Sequence, residues 1–174
     1  NITLTVPRYG ERLYRIDEEL VSDGIKRELG DYLTFLAGDD PFSAHIRPFK
    51  PRSLHTVKGH FWHYLSALHY QGINLKTFNS LSDLVTKDMF ALGIRWFWER
   101  NHNETSKHIG EIAWTVRCYA VKHIGTDEAT TAFYTDALAR LRVTQLGLSD
   151  KNKAAMAQFD NPKIVETFVS LPPR

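Results

Sequence analysis

Apolar residues recur at three- and four-residue intervals along most of the chain, and strand-like alternation hardly appears. That periodicity predicts an all-α protein, a compact bundle of six to eight helices. Residues 23–37 place Ile25, Leu29, Leu33 and Leu36 on one face, and Gly38-Asp39-Asp40-Pro41 stops the run. A proline-bracketed loop follows over 43–51. Residues 53–70 carry Leu54, Val57, Phe61, Leu65 and Leu68 on one stripe, and Gly72 ends that helix by tolerating the left-handed conformation. A helical turn is expected over 80–84 and a third major helix over 86–100, with Trp96 directed to the core and Trp98 to another face. After the polar break Asn101-His102-Asn103, residues 105–123 point Ile109, Ile112, Val116, Tyr119 and Ala120 inward, and Gly125 closes the run. Thr126-Asp127-Glu128 caps a further helix to about residue 143. A short helix begins after Leu148 near Lys151, and a last one spans 162–169. Pro172-Pro173 favours extended chain.

Bulk composition adds little to this picture. The chain has 174 residues, enough for one substantial core, with an apolar share of 43% and a charged share of 24% that are ordinary for a globular protein. No apolar run approaches the roughly 20 residues that cross a bilayer, and no signal peptide opens the chain. No membrane partner is expected. The single Cys118 excludes an internal disulfide and suits a reducing cytoplasm; its helical context reads as a structural thiol. Both ends look cut, which suggests a piece of something longer.

Charge distribution changes the picture more. Net charge is only +2, yet residues 43–82 hold Arg47, Lys50, Arg52, Lys58 and Lys76 with five histidines and no acid. Residues 1–42 carry nine Asp/Glu against five Lys/Arg. A cationic helix start with Ser and Thr nearby suits phosphate oxygens, although a basic run is also what a solvated face looks like.

Catalytic and cofactor motifs fail one by one. There is no glycine-rich nucleotide loop and no nucleophile elbow. Glu18/Glu19 and Asp39/Asp40 sit in polar contexts. His60 and His63 are spaced as a metal pair, but their segment supplies no acid or Cys to complete a ligand set, so no metal and no cofactor is expected. Two helix starts remain, Arg52-Ser53-Leu54-His55-Thr56-Val57-Lys58-Gly59 and Glu104-Thr105-Ser106-Lys107-His108-Ile109-Gly110-Glu111. Each combines Ser or Thr, His, Lys and a glycine. Glycine inside a helix costs about 1 kcal/mol relative to alanine, which makes sense where another helix or a DNA strand approaches the backbone.

At these residues the chain resembles the N-terminal, core-binding (SAM-like) region of the tyrosine recombinases, the phage-integrase family. Matching segments are Ser53-Leu54-His55-Thr56-Val57-Lys58-Gly59-His60-Phe61 with Tyr64-Leu65-Ser66-Ala67-Leu68, then Gly72-Ile73, Leu81-Ser82-Asp83-Leu84-Val85, and Thr105-Ser106-Lys107-His108. The resemblance spans residues 20–174, through motifs that are individually degenerate. It implies a lead-in over 1–19, a helical DNA-binding domain over 20–125, additional helices packed on it over 126–170, and the start of a linker to a catalytic domain over 171–174. It also implies that the chain clamps double-stranded DNA for strand exchange and self-associates there in the full-length protein. The tyrosine that attacks the phosphodiester would lie in that catalytic domain, so no catalytic residue is expected here. Arg52, His55, Lys58, Lys107 and His108 would contact phosphates. Ser53, Thr56, Thr105 and Ser106 would donate hydrogen bonds, and Arg117 and Lys122 would extend the surface. His63 and Glu111 would reach base edges. The two helix starts are expected side by side as one basic surface. A non-enzymatic helical DNA-binding regulator and a helical protein-interaction domain are the rival readings.

Overall fold

The computed structural model describes residues 15–38, 48–142 and 150–170. The expected linker 171–174, most of the lead-in, Arg47, most of the 43–51 loop and the 143 helix end lie outside the described residues. Among the described residues the chain is all-helical, without a strand. It divides into two units, Asn1–Arg142 and Val143–Arg174.

Among its described residues the first unit holds five α-helices: α1 (Asp23–Ala37), α2 (Pro51–Tyr70), α3 (Lys87–Arg100), α4 (Lys107–Cys118) and α5 (Glu128–Leu141). Helix α2 is the hub and packs on α1, α3 and α4, while α5 lies on α3 and α4. The core forms from Ile25, Leu29, Tyr32, Phe61, Tyr64, Leu65, Leu68, Phe90, Phe97, Ile109, Ile112, Val116 and Tyr134. In α1 the buried stripe takes Tyr32, while Leu33 is only half-buried. Trp96 is buried and Trp98 is exposed, as their positions predict.

Side-chain hydrogen bonds tie the layers together. Tyr64 Oη donates to the Leu84 carbonyl (2.7 Å), and Tyr134 Oη donates to the adjacent Val85 carbonyl. The 3₁₀ turn Ser82–Val85 is therefore held from α2 and from α5. Glu28 of α1 accepts from Ser80 Oγ (2.9 Å) and the Leu81 amide (2.7 Å). These groups are buried or partly buried, where an unmade hydrogen bond costs about 1–3 kcal/mol.

Two boundaries that bear on the helix starts differ from the sequence reading. Helix α2 starts at Pro51, not Ser53, with Lys50 at the cap position and no side-chain cap. Proline at the first helical position explains this: it lacks the amide that would be left without a partner there and its φ is already helical. Helix α4 starts after Ser106, whose Oγ accepts from the Ile109 amide (3.3 Å); Thr105 precedes the cap. The α4 backbone then widens into π-helical turns over Tyr119–Ile124 before Gly125 ends it at φ 81°. Through these turns Tyr119 and His123 both face Tyr32 of α1, with ring centroids 4.9 Å away in each case.

The second unit contains α6 (Asp150–Ala157), a 3₁₀ turn (Gln158–Asp160) and α7 (Pro162–Val169). No described helix is long and apolar enough to cross a membrane.

Candidate nucleic-acid interface

Helix α2 has 20 residues and so is about 30 Å long. Its fully buried residues all lie from Phe61 onward. In the first ten, Arg52, Ser53, His55, Thr56 and Lys58 are exposed, and Leu54 and Val57 are only half-buried. The full burial expected for those two fails: Leu54 and Val57 pack against the core but are not fully covered, and the buried run of α2 begins at Phe61. Arg52 and Lys58 have no ion pair among the described residues. The seven-residue spacing from Arg52 to Gly59, with His55 between, sets the three on one stripe. A Cβ built on Gly59 would meet nothing within 4 Å. Thr56 Oγ1 donates to the Arg52 carbonyl (3.1 Å), so its proton goes to its own helix and not outward as expected.

The second helix start packs against α2. His63 of α2 packs against His108 near the beginning of α4, with ring centroids 5.3 Å apart. Phe61 packs against Tyr119 beyond the end of α4, at 5.5 Å. His60, one residue beyond the first start, touches both His108 (6.0 Å between ring centroids) and Thr115 (2.8 Å). The start of α4 thus meets α2 over His60 and His63, beginning about 12 Å along the axis from Arg52 and just past Gly59. The two starts therefore meet where His60 touches His108, with Arg52 about two turns away along α2.

At the α4 start, Thr105, Lys107, His108 and Glu111 are exposed. Lys107 Nζ pairs with Glu111 across 3.7 Å, a solvent-facing contact of little energetic weight. Gly110 lies against α5, where a Cβ would stand 3.6 Å from the Leu141 carbonyl oxygen, so helix packing accounts for it. Arg117 does not extend the surface. Its Nη2 donates to Thr135 Oγ1 of α5 (3.5 Å), and its guanidinium lies over the Trp114 ring at 5.4 Å. Lys122 is exposed and follows Tyr119, which packs on Phe61 of α2.

His60 and His63 are half-buried against α4, not on the free surface that the sequence suggests. Burial pushes the His60 imidazole down, His108 adds to this, and Glu111 opposes it. Burial, then His108 and His60, push His63 down. One nitrogen from His60, one from His108 and one carboxylate oxygen of Glu111 all lie within 4.8 Å of one another. The sequence reading missed this grouping because it looked for acids near His60 along the chain, and the fold brings one from 51 residues away.

No protein-family model, curated protein or solved structure matches the chain.

Proposed function

We propose that this chain holds duplex DNA, as the DNA-binding part of a site-specific recombinase of the tyrosine-recombinase type. The observation that carries the reading is the first half of α2 with its cap, where Lys50, Arg52, His55 and Lys58 are exposed. No acidic residue lies in Pro51–Tyr70 to repel phosphate. Gly59 on the same stripe leaves the backbone bare for a close approach. Contacts of this kind go to the sugar-phosphate backbone and set position, while sequence readout needs side chains at base edges. Lys107, His108 and Lys122, all exposed, add contacts to phosphate. In such a recombinase strand exchange belongs to a tyrosine in another domain, and this chain contributes the grip and a share of self-association on DNA.

The test is fluorescence anisotropy of a labelled duplex with the parent chain, the Arg52→Ala/Lys58→Ala variant and Lys107→Ala. The double variant should weaken binding to all duplexes alike by tenfold or more, and Lys107→Ala should weaken it less. Unchanged affinity in the double variant would remove α2 as the DNA face. A helical protein-interaction domain is the second reading, favoured by the exposed rings of Trp98 and Trp114. It would gain if the chain bound no duplex at low salt.

A further inference from the structure

The half-buried histidine edge between α2 and α4 has a composition that phosphate contact does not require. His108, Glu111 and Thr115 fall on one stripe of α4 at spacings of three and four, and His60 reaches them from α2. Thr115 is a buried polar residue, 7% exposed. Its hydroxyl donates to the Glu111 carbonyl at 2.9 Å. Its oxygen lies 2.8 Å from His60 Nδ1, so the lone pair left on that oxygen accepts the Nδ1 proton. That hydrogen bond fixes the ring and leaves the lone pair on Nε2, the state in which an imidazole ligates a metal.

We infer that His60, His108 and Glu111 form a binding site for one divalent transition metal of the zinc class, linking α2 to α4. Two imidazoles and one carboxylate are a ligand set that zinc accepts, with a fourth position left for water. Magnesium and calcium prefer oxygen-rich sets, and two nitrogen donors select against them. The 4.8 Å spread of the three ligand atoms is wider than the ligand separation around bound zinc. His108 and Glu111 are exposed, so rotamer changes can close the gap while His60 stays anchored. Lys107 opposes binding through its contact with Glu111, but that contact is solvent-exposed and weak.

Chelator-stripped chain should take up one zinc per molecule in equilibrium dialysis against zinc chloride, and a large excess of magnesium should not displace it. Zinc should raise the melting temperature in a concentration-dependent way, because a ligand that binds only the folded state stabilises it. His108→Asn and Glu111→Gln lie at exposed positions and should keep the parent circular dichroism spectrum. Each should weaken zinc binding at least tenfold and abolish the melting shift, whereas His55→Asn should bind like the parent. Absence of stoichiometric uptake by the parent overturns the site, as does uptake that survives both ligand substitutions. Zinc uptake is measured without nucleic acid, so this site and the DNA-binding face can fail separately.

Discussion

Gly59 and Gly93 both interrupt helices with a residue that costs about 1 kcal/mol relative to alanine, and their surroundings differ. A Cβ on Gly93 would come within 2.5 Å of Tyr64 Cε2. That ring is fully buried and tethered through its hydroxyl to the Leu84 carbonyl, so it cannot yield. Gly93→Ala should therefore destabilise the fold by about 1–3 kcal/mol, the usual cost of overpacking. Gly59 has open space, and Gly59→Ala should raise stability by up to about 1 kcal/mol. Urea unfolding of the two variants checks both signs. A loss of stability in Gly59→Ala would mean that part of the chain packs on α2 there. The same variant should bind DNA more weakly despite its firmer helix. Sequence drew attention to Gly59 and Gly110 through the residues around them. Gly93 passed unnoticed, because its reason is a tyrosine on another helix.

At the scale of elements, stops and caps were the readable part. Gly38 ends α1 at φ 72° and Gly125 ends the α4 run at φ 81°, both left-handed positions that glycine occupies without strain. Asp127 was read as part of a cap, and its carboxylate accepts from the Thr130 amide (2.8 Å) and hydroxyl (2.7 Å). Those bonds, the side-chain one first, hold its pKa below the ordinary 3.8. Between its folded and unfolded pKa the unfolded chain binds more protons, so stability rises with pH across that interval. The charged cap's contribution is present above pH 3.8 and is lost as pH falls through the lower folded value. Asp127→Ala should melt below the parent at about pH 6, and the gap should narrow at about pH 3. A gap that is the same at both would show that the charge of Asp127 contributes nothing. Two element boundaries were not readable. Ser53 looks like a cap, but Pro51 is better suited to open the helix, and no residue pattern announces the widened turns over Tyr119–Ile124.

For the whole molecule, periodicity was enough to establish an all-helical bundle, because each stripe reports its own buried face. How the stripes meet was not legible. The packing of α2 on α4 joins the two helix starts at His60 and His108 and assembles His60, His108 and Glu111 across two helices. On the proposed reading, the exposed start of α2 holds DNA by neutralising phosphates. Counterion release makes such binding fall with salt, with a slope of about −0.9 in log affinity against log salt for each phosphate neutralised. The most direct measurement is that slope for the parent and for Arg52→Ala/Lys58→Ala on one duplex. A steep parent slope that flattens by about 0.9 for each lost contact is the expected result. Identical slopes in the two proteins, or no binding by the parent at low salt, would contradict it.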